Sequence, residues 1–195
     1  MLVLIQDLVN NMKELELIFI KPDAMKRKLA GKIIDRFEQQ EGFVIKRMQM
    51  GRITQEIANV LYEDTPAQIE GMGKKTYESM AKMGVAGKIE SMFGTENYAE
   101  IGKQLNAFNR KYATSTEVIA LILEGENAVT RSRQLIGKTD PALADKGTIR
   151  GDWGVDSITK ANMEMRACEN LVHASDTDTA ARDVAIFEKL FFAKK

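Results

Sequence analysis

The chain has 195 residues, with 28 Lys+Arg against 28 Asp+Glu, 44% hydrophobic and 29% charged. This is globular composition for one domain, or one domain with insertions, and a balanced charge argues against a nucleic-acid or polybasic membrane partner. One cysteine and one histidine exclude a disulfide framework and a Cys/His zinc site, and the longest apolar run, Val118–Leu123, is far short of the ~20 residues that span a bilayer.

Residues 1–11 are apolar but lack the basic start and small-residue cleavage site of a signal peptide. Met12 opens a second plausible start, so 1–11 are expected to be an N-terminal extension of a single domain over 12–195, located in the cytoplasm. Leu15–Ile20 reads as a buried strand stopped by Pro22, which has no N–H for a ladder. Ala30, Ile33, Ile34 and Phe37 follow helical spacing up to Gly42. Phe43–Met50 reads as a second strand with Phe43, Ile45 and Met48 facing inward, and Thr54 caps a helix reaching about Asp64. Val118–Leu123 is a third strand, Asn127–Ile136 a helix and Leu171–His173 a short fourth strand. Ser175 or Asp176 then caps a helix through Ala180–Phe187. The order predicts an α+β, ferredoxin-like fold, a four-stranded antiparallel sheet with helices on one face.

Two stretches interrupt that plan. Residues 65–104 read as a helical insertion, and Tyr98, Ile101, Leu105, Phe108 and Tyr112 form an amphipathic stripe. Residues 157–167 read as a smaller insertion. Six of the eleven methionines lie in these two stretches, which predicts that the insertions pack against each other at a cleft rim.

His173 stands at the end of its short strand, where an imidazole of near-neutral pKa can serve as a nucleophile. Cys168 precedes it by five residues, but an alternating strand would put the two on opposite faces, which speaks against thiol catalysis. Lys21 follows a strand, Arg133 lies on a helix and Arg150 sits between Gly147 and Gly151. Together these cations suggest a phosphate-bearing ligand. Gly137-Lys138-Thr139 imitates the end of a P-loop, but it follows a helix and Ser132 occupies the position of the first glycine.

Ile20-Lys21-Pro22-Asp23-Ala24, Glu124-Gly125-Glu126-Asn127-Ala128-Val129, Gly147-Thr148-Ile149-Arg150-Gly151-Asp152 and Asn170-Leu171-Val172-His173-Ala174-Ser175-Asp176 closely resemble the motifs of nucleoside diphosphate kinases. The resemblance implies a ping-pong transfer of the γ-phosphate from a nucleoside triphosphate, with ATP the expected donor, to a nucleoside diphosphate through phosphohistidine on His173. By the same resemblance, Lys21 contacts the transferred phosphate and the ribose, and Arg133 and Thr139 bind the distal phosphates. Arg150 lies near the transferred phosphate, Asn170 reads the ribose 3′-hydroxyl, and Tyr62 and Ser175 support the histidine. Magnesium (Mg2+) is implied as a passenger of the nucleotide, and a homo-oligomer as the assembly.

Two positions depart from the family pattern. Leu105 stands where the base-stacking aromatic belongs, with Phe108 or Tyr98 as possible substitutes, and the supporting glutamate of the last helix maps to Asp183, or to Val184 if no residue is deleted. These departures define an alternative, a nucleotide-binding interaction module on a kinase-derived scaffold with weak turnover.

Overall fold

The computed structural model describes residues 13–193; the expectation for residues 1–11 lies outside them. Four strands form one sheet: β1 (Lys13–Ile20), β2 (Val44–Arg52), β3 (Glu117–Glu126) and β4 (Val172–Ala174), in the spatial order β2-β3-β1-β4. Every pairing is antiparallel. After β1 come α1 (Pro22–Lys26) and α2 (Ala30–Glu38), and after β2 comes α3 (Gln55–Leu61). Thr54 caps α3 by accepting from the Ile57 N–H, but the helix stops at Leu61, short of Asp64.

The sheet is covered on both faces rather than one. Leu17, Phe19, Val118, Ala120 and Ile122 pack with Ile57 of α3 and with Val184 and Phe187 of α10 (Ala180–Leu190). Ile18, Ile20, Leu121 and Leu123 pack on Ile33 and Phe37 of α2 and Ile136 of α7 (Ala128–Ile136). The two central strands are apolar at consecutive positions, which is the pattern of a sheet buried on both sides.

β2 departs from expectation. Its register against β3 shifts between Ile45 and Arg47, and Met48 lies 57% exposed instead of facing the core. As an edge strand it has one neighbour, and the bulge re-aims its side chains. Neither Ser175 nor Asp176 caps α10: the chain turns first, and Thr179 stands at the cap position.

Residues 65–104 and 157–167, expected to be insertions, are largely helical. α4 (Pro66–Lys82), α5 (Ile89–Phe93) and α6 (Tyr98–Ala113) build a third apolar cluster around Met80, Ile89, Phe93, Ile101 and Leu105. α4 and α6 cross at two glycines. A Cβ on Gly73 would meet the Tyr98 carbonyl oxygen at 1.9 Å, and one on Gly102 the Ile69 carbonyl oxygen at 1.9 Å. Residues 157–167 hold α9 (Ile158–Met163), which follows α8 (Ile149–Trp153). It packs on α4, with the Asn162 amide donating to Thr76 Oγ1 at 3.2 Å and the Ser79 and Thr159 hydroxyls 3.3 Å apart.

Candidate active site

Lys21, Tyr62, Leu105, Arg133, Thr139, Arg150, Asn170 and His173 line one cleft of about 970 Å³, the size range of a small-molecule site. They come from the end of β1, the loop after α3, α6, α7 and its following loop, α8, and β4 with the residues before it. Helices α4 and α9 supply the outer wall: Met72, Lys75 and Thr76 from α4, Ile158 and Asn162 from α9. Phe108 and Tyr98 are not among the residues that line this cleft, whereas Leu105 is. Tyr98 meets Tyr77 edge-on at 5.5 Å.

His173 pairs with Phe19 across the sheet, and the two rings stack at 4.6 Å. Tyr62 approaches its ring edge-on at 6.1 Å. His173 Nε2 is buried without a hydrogen-bond partner. Burial first, then the charges of Lys21, Arg150 and Arg133, hold its pKa well below the usual imidazole value, so the ring is neutral. A neutral imidazole ringed by cations is nucleophilic towards an anion and cannot be lost to protonation at physiological pH.

The cations are held by protein oxygens. Lys21 Nζ donates to Asn170 Oδ1 at 2.7 Å, and the Asn170 amide donates in turn to the Thr139 carbonyl at 2.9 Å. Burial, reinforced by Arg150, lowers the Lys21 pKa to about 8. The Arg150 guanidinium donates to three carbonyls, those of Asn170 (3.0 Å), Gly137 (2.9 Å) and Val172 (2.7 Å). That uses three of its five N–H groups and leaves two for a ligand. Arg133 is exposed at the mouth, 2.6 Å from Asp176 Oδ1 and 3.4 Å from the Ser175 carbonyl.

Ser175 and Asp183 lie outside the cleft lining, on the turn that follows His173 and on α10. The Ser175 hydroxyl donates to Asp183 Oδ2 at 2.8 Å, so the shorter carboxylate reaches the serine. Val184, the other candidate, belongs to the apolar cluster under the sheet. Cys168 lines the same cleft as His173, contrary to the opposite-face argument, because β4 begins only at Val172. Burial pushes its thiol up to about 12, which removes it as a nucleophile.

The sequence reading missed Glu16 and the Asp156–Arg166 pair. Arg166 grips Asp156 with both Nη atoms, at 2.6 and 2.9 Å, and closes the loop of the second insertion. Glu16 carried a signal, a carboxylate inside an apolar strand; the Arg166 pair had none, since its partners are joined only by the loop's fold.

The family model for nucleoside diphosphate kinase matches residues 14–100 and 94–194. The nucleoside diphosphate kinase of Pyrobaculum aerophilum is 35% identical over 168 residues, 86% of this chain and 90% of that protein. The one from Methanocaldococcus jannaschii is 35% identical over 179 residues, 91% and 95% of the two chains. The crystal structure of an NDP kinase from Pyrobaculum aerophilum superposes with a TM-score of 0.85 at 33% identity, covering 90% of this chain and 96% of that one. A halophilic enzyme from Halobacterium salinarum, solved with CDP, gives 0.56 at 26% identity, covering 90% and 88%. With its antiparallel sheet, its cation-ringed histidine and these relatives, the chain belongs to the nucleoside diphosphate kinase family.

Proposed function

We propose that this kinase works through a phosphorylated histidine, with His173 as carrier. The observation that carries the reading is the neutral imidazole of His173, stacked on Phe19 at the base of a cleft that also holds Lys21, Arg133 and Arg150. With Nε2 buried, Nδ1 is the nitrogen left to meet substrate. Its lone pair attacks the γ-phosphorus of a nucleoside triphosphate, ATP being the expected donor. The bond to the bridging oxygen breaks, and the diphosphate leaves with that electron pair. A second diphosphate reverses the step, so one site serves both halves.

The two unspent N–H groups of Arg150 suit the charge that develops on the transferred phosphoryl. Lys21 brings a point charge to the same place. Arg133 and Thr139 at the mouth serve the distal phosphates, and Asn170 orients Lys21 and receives the ribose. Tyr62 closes the free face of His173, while Ser175 and Asp183 steady the turn behind it. Leu105 gives the base an apolar surface in place of an aromatic ring. Mg2+ bound to the nucleotide phosphates supplies charge neutralisation. Among the described residues no three histidines, cysteines or carboxylates gather as a metal site.

Residues 12–195 are read as one domain in which 65–104 and 157–167 are insertions that wall the outer end of the cleft. A homo-oligomer is supported by the edge strand β2, which exposes Val44, Met48 and Met50 beside an unpaired backbone edge. No helix among the described residues is long and apolar enough to cross a membrane, and the cytoplasm is the proposed location.

The test is to incubate the protein with γ-labelled ATP and magnesium, remove nucleotide, and assay for acid-labile, base-stable label. Wild-type label that a GDP chase converts to GTP, with none on His173→Ala, is the expected result. Equal label on both proteins would remove His173 as carrier.

A further inference from the structure

Glu16 is a buried carboxyl behind His173 to which the phosphotransfer reading gives no task. It is 0% exposed in the apolar strand β1. Its Oε1 accepts from the Ser175 backbone N–H at 2.7 Å, and its Oε2 is buried with no hydrogen-bond partner. Among the described residues it has no ion-pair partner: Arg133 is paired with Asp176, and Arg182 with Asp183. A carboxylate so placed carries a far larger desolvation penalty than a neutral acid does.

Through this contact Ser175 is held at three atoms. Its N–H donates to Glu16, its hydroxyl to Asp183 Oδ2 at 2.8 Å, and its carbonyl receives Arg133 at 3.4 Å. Ser175 lies two residues after His173 and just before Asp176, which grips Arg133. The Ser175 turn therefore links the nucleophile to a cation at the cleft mouth.

We propose that Glu16 is a positioning residue for phosphoryl transfer: a neutral carboxylic acid whose oxygen pins the Ser175 turn, and with it His173 and Arg133, without setting a negative charge beneath the incoming phosphates. The proposal deepens the reading of His173 as phosphoryl carrier and rests on it. An ionised Glu16 would draw Arg133 inward and repel the triphosphate. The charged groups around it are Asp183 on α10, Arg133 on α7, Glu14 on its own strand, and Asp176 on the turn it holds. Burial raises the Glu16 pKa to about 8 against the pull of the Ser175 N–H, and Asp183 adds to the rise.

The experiment compares the full chain with Glu16→Gln and Glu16→Leu in the first half-reaction, following label uptake from γ-labelled ATP with magnesium on the millisecond scale. Glutamine keeps a neutral acceptor for the Ser175 N–H, so its rate should stay within about twofold of wild type; leucine strands that N–H and should slow uptake about tenfold at saturating ATP. Isotope-edited infrared spectra of protein carrying ¹³C-glutamate give the second readout. A protonated-carboxyl band at neutral pH should be present in wild type and in Glu16→Leu should be gone. Uptake by Glu16→Leu at the wild-type rate, or no such band in wild type, overturns the role of Glu16 while leaving His173 in place. No uptake by wild type overturns the His173 reading itself and Glu16 with it. The infrared measurement on wild type decides even where the leucine variant does not fold.

Discussion

His173 lies flat on Phe19, with ring centroids 4.6 Å apart and planes 17° from parallel, because the two residues face each other across β4 and β1. Tyr62 meets the imidazole edge-on, at 74° between the ring planes. Phe19→Leu keeps an apolar contact but removes the stack. It should lower the unfolding free energy by about 1 kcal/mol and slow the first half-reaction several-fold. Denaturant melts and rapid-quench phosphorylation check the two effects; an unchanged phosphorylation rate would show that the stack does not set the ring's aim.

Arg150 supports three backbone carbonyls around the cleft and retains two N–H groups. Lysine cannot span the three carbonyls from one point charge. Arg150→Lys is therefore expected to lose about 2–3 kcal/mol of stability and about 100-fold in kcat together. Loss of kcat with wild-type stability would deny the scaffold part of its role.

Lys21 brings a pH dependence of activity and an opposite one of stability. Its pKa near 8 means that the free enzyme loses this charge as pH rises through 8, so kcat/KM for the triphosphate should fall there. The unfolded lysine titrates near 10.5, so between 8 and 10.5 the unfolded state binds more protons and stability from this group rises with pH. The handicap of burying the ammonium is complete below pH 8 and gone above 10.5. The gap in unfolding free energy between wild type and Lys21→Met should therefore change across that window, the wild type gaining. A pH-independent gap would mean that Lys21 is not perturbed.

Asn162 and Thr76 clasp the two insertions over the outer end of the cleft. Asn162→Ala should raise KM for nucleotides a few-fold, leave kcat near wild type, and lower stability by about 1 kcal/mol. Steady-state kinetics decide the point, and an unchanged KM would take the clasp out of nucleotide binding.

Much of this was legible in the sequence for definable reasons. Ile18–Ile20 and Ala120–Leu123 announce central strands because they are apolar at consecutive positions, but the element order led to helices on one face only, and the cover on the second face was missed. Lys21, Arg150, Asn170 and His173 were found because their motifs are contiguous. The exposure of Met48 was not legible, since edge position and a bulge at residues 45–47 depend on a strand far away in sequence. Nor was the engagement of Asn170 by both Lys21 and Thr139, which only the folded loop brings about. Glu16 carried its signal as a carboxylate between Leu15 and Leu17, which hydrophobic patterning averages away.

α6 gives the outer insertion a mechanical connection to the chemistry. Its 16 residues form a rod about 24 Å long. At the outer end the Gly102 backbone lies against Ile69 of α4. At the inner end Tyr112 donates to Asp23 at 2.6 Å, two residues from Lys21, and Arg110 donates to the Tyr62 carbonyl at 2.6 Å. With no side chain between the crossing backbones, the outer joint has little slack. The rod thus ties the crossing of α4 and α6 at one end to the segments that carry Lys21 and Tyr62 at the other.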